Sequence, residues 1–409
     1  MTAYLGLLIL GAAAFVILWR EGLFQKDKAV LFLSALLLLA AMALRGLCME
    51  HETLDYQNFL TRWVQFYREN GGFKALDKSI GNYNLPYLYF LAAFSYSSVR
   101  DLYLIKLLSV LFDVLLAWGV LRLVRCFRQS HAAMLAGFFL ALFLPTVVLN
   151  GAYWGQCDSI YAAFAVWSVY FALDEKPIRS VIAIALSFAF KLQAVFLMPV
   201  FLIFLFAKKV KWWHLGFFPL TYLAIVLPAV LAGRPLLDTV MLYFDQAGTV
   251  GGALNYNSSS MYAFVRGDVD TALLSRIGII AAFAFLLLLY VLCWVNRERL
   301  SDRALLICSV LICVAVPFLL PHMHDRYFFI ADVLSLALAA ALPQLAHVPV
   351  CVSFASLMGY HAYLTRRWFL NRPASMAWGA AALLAVIATL IAALIVTFSQ
   401  KRGKRAKSR

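Results

Sequence analysis

Within Leu320-Pro321-His322-Met323-His324-Asp325-Arg326-Tyr327, five consecutive residues carry two imidazoles, a carboxylate and a guanidinium. They close an apolar run, where charge is expensive and is kept for a function or a partner. Arg326 offers a planar fork of donors and His324 a neutral or charged one, a pair suited to clamping a phosphate. His322 is assigned to substrate. Pro321 breaks the helix where the polar groups begin, which places this use ahead of a helix-end salt bridge from Asp325.

Three further segments have chemical potential. Asp55, in Leu54-Asp55-Tyr56-x-x-Phe59-x-x-Trp63, stands between an apolar run and an amphipathic stretch. A carboxylate there can take a proton from a hydroxyl, or simply cap the helix that follows. Gly81-Asn82-Tyr83-Asn84-Leu85-Pro86-Tyr87 lies in the same loop, and Tyr83 and Asn84 are its candidate substrate contacts. In Tyr153-Trp154-Gly155-Gln156-Cys157-Asp158-Ser159, Trp154, Gln156 and Asp158 supply a stacking face, an amide and a carboxylate, a set that can hold a sugar. An interfacial tryptophan beside a capping aspartate is the plainer local explanation. In Phe190-Lys191-Leu192-Gln193, a mid-run lysine costs roughly 2.5 to 3.5 kcal/mol on insertion scales unless it finds a cavity, a partner or an end to snorkel from. Lys191 is read as a phosphate-binding cation and Gln193 as a substrate contact.

Weaker signals surround these. Lys106 and Asp113 share a helix face, as a structural pair or with separate partners. Asn257-Ser258-Ser259 fits a glycosylation sequon that is common by chance. His51 and Glu52 beside Asp55 make a poor divalent-ion site, so no metal is assigned and no cofactor is expected. The seven cysteines show no Cys-x-x-Cys spacing and no framework. Glycine-rich phosphate loops are missing, which leaves a soluble nucleotide-sugar or ATP site unsupported.

The elements that position these groups are set by composition. Of 409 residues 64% are hydrophobic and 13% charged, with mean hydropathy +0.84. Apolar runs of about 20 residues, each able to cross roughly 30 Å of hydrocarbon, recur from Thr2 to Ser399. They predict eleven to thirteen spans and an all-α polytopic bundle, since lipid leaves no partner for an open sheet edge. The first run lacks a cleavage site and reads as a retained helix. The net charge of +15 sits in short loops and in the tail 401–409, which favours topology and anionic lipid over nucleic acid. Basic clusters at 20–28, 122–128, 176–179, 208–211, 297–303 and 401–409 are placed in the cytoplasm, with the C-terminus. Segments 49–101 and 234–268 and the His322 to Tyr327 turn then fall outside, as do all four constellations. Arg366, Arg367 and Arg372 break this rule.

In the first outer loop Leu60, Trp63, Val64 and Tyr67 form one stripe, with Arg62, Glu69 and Asn70 off it, which predicts an interfacial amphipathic helix ended by Gly71-Gly72. No internal repeat is seen. The chain reads as one integral membrane domain, 1–400, and a basic cytoplasmic tail, 401–409.

The motifs Leu54-Asp55-Tyr56-x-x-Phe59, Tyr83-Asn84-Leu85-Pro86-Tyr87, Trp154-Gly155-Gln156-x-Asp158-Ser159-Ile160-Tyr161, Phe190-Lys191-Leu192-Gln193-Ala194 and His322-Met323-His324-Asp325-Arg326-Tyr327-Phe328-Phe329, in this order, resemble the GT-C superfamily of integral membrane glycosyltransferases. Within it the chain is similar to a bacterial mannosyltransferase-related group, and also to glucosyltransferases with an Asp-Tyr pair in the first outer loop and a late His-x-His-acid turn. The resemblance implies a single-hexose transfer from a polyprenyl-phosphate donor to a lipid-linked or polymer glycan acceptor at the outer face of a bacterial cytoplasmic membrane. It maps the catalytic base onto Asp55 and the donor phosphate onto His324 and Arg326, with Lys191. This chain has no Asp-x-Asp pair in the first loop, which sets it apart on metal dependence. An oligosaccharide ligase and a polytopic lipid or sugar transporter are the other classes that fit.

Overall fold

The computed structural model describes residues 2–24, 27–81, 83–247 and 252–399. Lys26, Asn82 and the basic tail 401–409 lie outside the described residues. Long apolar runs leave the backbone no hydrogen-bond partner but itself, and nearly every element is helical. In chain order these are α1 Thr2–Arg20, α2 Lys28–Cys48, α3 Thr61–Glu69, α4 Leu85–Phe94, α5 Asp101–Arg125, α6 His131–Phe143, α7 Pro145–Val148, α8 Asp158–Leu173 and α9 Pro177–Phe190. They continue with α10 Val200–Phe206, α11 Phe217–Leu231, α12 Leu236–Ala247, α13 Thr271–Val295, α14 Asp302–Leu319, α15 Phe329–Ala341, α16 His347–Thr365 and α17 Arg372–Ser399. Two short strands, β1 Asn255–Tyr256 and β2 Met323–His324, pair in parallel.

The chain is an all-α polytopic bundle. By length and composition, seven of the described helices can cross a membrane: α1, α2, α5, Trp212–Leu231, α13, α14 and α17. An eighth is gained if α6 and Pro145–Trp154, bent by 45°, form one broken span. Other apolar runs of the sequence become the shorter helices α4, α8, α9 and α15. The 14 residues of α9 cover about 21 Å, short of a full crossing. These four are short because polar groups interrupt the apolar runs: Asn84 caps α4, Asp158 opens α8, Lys191 closes α9, and the His322 to Tyr327 turn precedes α15.

The chain divides into two compact units, Met1–Val195 with Trp213–Gly251, and Phe196–Trp212 with Gly252–Arg409. In the first, α5 packs on α1, α6 and α8, and α9 lies against α4, α8 and α11. Two charges are buried completely at its centre, Arg45 of α2 and Asp113 of α5, joined at 2.8 Å. Arg45 also donates to the Leu142 carbonyl at 2.9 Å, and Ser159 donates to the second Asp113 oxygen at 2.5 Å. Such completeness is what a buried pair needs to be stable. Lys106 takes separate partners, donating to the Cys48 and His51 carbonyls at 2.6 Å each.

The amphipathic stripe forms as its spacing predicts. Leu60, Trp63, Val64 and Tyr67 are buried, facing α4 and α5, while Arg62 and Glu69 are exposed. Gly71 and Gly72, at φ +84° and +64°, end the helix in a backbone that suits glycine. In the second unit α14 packs on α10, α13, α15 and α17, and α16 packs on α15 and α17.

Candidate active site

Asp55 does not cap the helix it precedes. Its backbone is helical, at φ −65° and ψ −39°, and its side chain makes no capping bond. Instead Oδ2 accepts from the indole Nε1 of Trp154 at 2.8 Å and from Nε2 of Gln156 at 2.7 Å. The Thr53 hydroxyl ties the same segments together, donating to the Trp154 carbonyl at 2.9 Å. One residue on, the Tyr56 hydroxyl donates to Asp101 at 2.8 Å, anchoring the segment to the start of α5. The chain then makes a π-helical turn, Tyr56–Leu60.

The partner segment is equally constrained. Leu149–Trp154 form a second π-helical turn, which ends at Gly155, φ +81°, before the Gln156 amide bonds back to the Asn150 carbonyl at 2.9 Å. Turns of this kind recur at functional sites. Ser109 of α5 donates to the Gln156 carbonyl at 2.7 Å. Trp154 is 1% exposed, so it is a core residue and not an interfacial one. Asp158 is also buried, and Cys157, not Asp158, holds the N-cap position of α8. The Asp158 carboxylate accepts from Nδ2 of Asn150 at 2.7 Å on one oxygen and from the Lys191 ammonium on the other. A carboxylate in the first turn also suits the N-terminal end of the helix dipole.

Lys191 is buried and ion-paired with Asp158, which replaces the snorkelling alternative. It leaves α9 in an extended conformation, φ −156° and ψ 135°, and its ammonium lies 5.5 Å from the Tyr83 ring centre and 5.9 Å from that of Tyr161. Tyr83 connects the two halves of the site. Its hydroxyl donates to Gln156 Oε1 at 2.9 Å, and its ring stands edge-on to Trp63 with centroids 5.3 Å apart.

Asp55, Trp154, Gln156, Tyr83, Lys191 and Asp158 thus form one connected set. Asn84 is instead spent on the fold, accepting from the Leu85 amide at 2.9 Å and donating to the Tyr222 hydroxyl at 3.2 Å. Gln193 sits in a 3-10 turn, its amide oxygen buried without a hydrogen-bond partner.

The histidine-rich turn belongs to the second unit. His322 has a left-handed backbone, φ +63°, and its ring binds the Ala253 carbonyl through Nδ1 at 2.7 Å and the Ser275 hydroxyl through Nε2 at 3.3 Å. A carbonyl only accepts, so Nδ1 donates its proton to Ala253 in this contact. Those contacts use both nitrogens inside the protein and make His322 a lock on the 253–257 segment. His324 stacks on Tyr256, centroids 4.7 Å apart and planes within 10°. Asp325 is buried and Arg326 half-buried in the same turn.

The acidic residues before Asp55 are engaged by Arg100, which contacts Glu50 at 3.2 Å and also pairs with Glu52. His51 stacks on Tyr153 with centroids 3.8 Å apart. Burial, and then the Lys106 ammonium, hold its imidazole below the usual histidine range. Among the described residues no three of His, Cys, Asp and Glu gather to hold a metal ion.

Sequence reasoning missed Asn150, Thr53 and Ser109, and named Tyr161 only within a motif, with no role. Asn150 carried a signal, a lone amide ending the apolar run from Ala132; the others read as ordinary loop or core residues. The arrangement offers a half-buried carboxylate aimed by two neutral N–H donors, and an ammonium held over two aromatic rings. No protein-family model matches the chain, and comparison with curated proteins finds no match.

Proposed function

We propose that the chain is a membrane glycosyltransferase that moves one hexose, mannose or glucose, from a polyprenyl-phosphate donor to an acceptor hydroxyl on the extracytoplasmic or lumenal face. One observation carries this reading: Asp55 Oδ2 is held by Trp154 and Gln156. A general base needs a fixed lone pair aimed at the proton it takes. Two neutral donors fix the carboxylate without neutralising it. Asp55 would accept the proton of the acceptor hydroxyl as its oxygen attacks the anomeric carbon, while Lys191 stabilises charge on the departing phosphate. Attack in line with the leaving group inverts the anomeric centre. Trp154 and Gln156, almost fully buried, aim the base in this reading and leave sugar contact to more open groups. Asp158 holds Lys191 in place.

The test is transfer of label from polyprenyl-phosphate mannose and polyprenyl-phosphate glucose in membranes carrying the wild-type chain or Asp55→Asn. Asparagine keeps an acceptor oxygen for Trp154 and Gln156, so the fold survives. Loss of a general base lowers the rate by about 10²- to 10⁴-fold. Full activity of Asp55→Asn would overturn the assignment of the base. No transfer by an inserted wild-type chain would remove the single-sugar reading and bring forward the ligase and the transporter.

A further inference from the structure

α16 ends at Arg366, whose backbone is left-handed at φ +57°, a position where helices ordinarily carry glycine or asparagine. Arg367 and Arg372 follow in the loop that leads into α17, and all three arginines are exposed. Hydrogen bonds fix this loop: the Arg367 amide donates to the Thr365 hydroxyl at 3.2 Å, the Leu370 amide to the Ser375 hydroxyl at 2.9 Å and the Ala374 amide to Asn371 Oδ1 at 3.0 Å. Two of the guanidiniums lie over rings of the same segment, Arg366 at 4.9 Å from the Tyr363 ring centre and Arg372 at 5.3 Å from that of Trp368. A fourth exposed arginine joins them, since Arg266 Nη2 donates to the Pro373 carbonyl at 3.3 Å.

No Asp or Glu occurs from Val333 to Arg409, and none of the four arginines has an ion-pair partner among the described residues. Asp270 caps α13 by accepting the Leu273 amide at 2.9 Å, and exposed Asp268 pairs with no arginine. Cations gathered at the start of α17 without a protein counter-charge attract an anion. Its kind follows from the apolar neighbours: Phe369 and Leu370, in the same loop, are 68% and 48% exposed. A dissolved anion has no use for them, whereas a lipid supplies phosphate and hydrocarbon together. The 28 residues of α17 rise about 42 Å, beyond a hydrocarbon core of roughly 30 Å, so an end of this span reaches the headgroups. Arginines and aromatic rings are the side chains that suit that level.

We propose that the loop between α16 and α17, with Arg266, Arg366, Arg367 and Arg372, is a docking surface for the headgroups of anionic lipids, with Phe369 and Leu370 in the hydrocarbon beside them. An anionic leaflet satisfies these cations on either side of the membrane. The surface lies wholly in the second unit, and it holds whether or not Asp55 is a base.

The full chain would be reconstituted in phosphatidylcholine vesicles containing a fixed fraction of chain-brominated lipid, either phosphatidylglycerol or phosphatidylcholine. Quenching of Trp368 is read as the difference between each protein and its Trp368→Phe counterpart. Brominated phosphatidylglycerol should quench the wild type at lower fractions than brominated phosphatidylcholine, each engaged arginine contributing about fivefold to that preference. Raising salt from about 0.05 M to about 0.5 M should shrink it. Arg366→Asn combined with Arg367→Gln and Arg372→Gln removes three charges and leaves a residue that tolerates the left-handed backbone, and most of the preference should go. Arg367→Gln alone touches no side-chain hydrogen bond or ion pair among the described residues, so it keeps the fold and should lose about fivefold. Equal quenching of the wild type by the two lipids, quenching by neither, or a preference unchanged in the folded variants overturns the proposal. Loss of the preference to inorganic phosphate at matched ionic strength overturns it as well, by making the ligand a dissolved anion.

Discussion

Gln156 and Asp55 stand 101 residues apart in sequence, yet the Gln156 amide nitrogen donates to Asp55 Oδ2 at 2.7 Å while its carbonyl oxygen accepts the Tyr83 hydroxyl at 2.9 Å. An amide has one donor end and one acceptor end. A phenol fixed on the acceptor end therefore turns the donor end to the carboxylate, and Tyr83 sets the aim of the base through Gln156.

Tyr83→Phe tests that relation. Phenylalanine keeps the ring beside Trp63 and under Lys191 and removes only the hydroxyl, so Gln156 is free to flip its oxygen toward Asp55. One hydrogen bond contributes about 1 kcal/mol, or a five- to tenfold fall in kcat. Steady-state transfer should show that fall with KM little changed. An unaltered kcat would mean that Gln156 is held by other groups.

The Lys191–Asp158 pair makes a stability prediction. Their side chains are 9% and 1% exposed, so removing one charge strands the other. Breaking such a pair costs about 3 to 5 kcal/mol, whereas removing both charges costs less. Lys191→Met should therefore destabilise more than Lys191→Met combined with Asp158→Asn. Denaturation of the wild type, Lys191→Met, Asp158→Asn and the double variant in detergent completes the cycle. Additive losses would show that the two residues do not depend on each other.

His51 makes a pH prediction. The fold disfavours the charged imidazole, through burial first and the Lys106 ammonium second, so the folded chain binds fewer protons than the unfolded one below the ordinary value of 6.5. Its contribution is present in full above that value and declines as pH falls below it. Melting temperatures between about pH 7.5 and about pH 5 should fall for the wild type, and fall less for His51→Phe, which keeps a ring against Tyr153 and cannot titrate. Parallel curves would place the acid sensitivity elsewhere.

Much of the site was legible because charge inside apolar sequence is conspicuous. Asp55, Lys191 and Asp158 stood out for that reason, and the same polar groups set where α4, α8 and α9 begin or end. What sequence could not supply was which polar group answers which. Whether Asp55 caps a helix or faces Trp154 depends on a contact between residues 99 apart, and composition carries no such distance information. His322 illustrates the reverse. Its residue type suggested a substrate contact, but the Ala253 carbonyl and Ser275 hydroxyl bind its ring.

Gly359 on α16 carries the packing of the histidine-rich turn. A Cβ there would stand 2.5 Å from the Asn257 carbonyl oxygen and 2.7 Å from the Asp325 Cβ, closer than real side chains come. Neither neighbour can withdraw cheaply. Asn257 is bridged to His324 through the backbone, and Asp325 is buried within the turn. Gly359→Ala must then lift the turn or displace α16, and overpacking of this kind costs about 1 to 3 kcal/mol. The variant should melt several degrees below the wild type, while Val350→Ala, on the exposed face of the same helix, should not. The displacement would also separate Tyr256 from His324, whose rings stack within 10° of parallel. Wild-type melting of Gly359→Ala would show that this contact is not kept in solution.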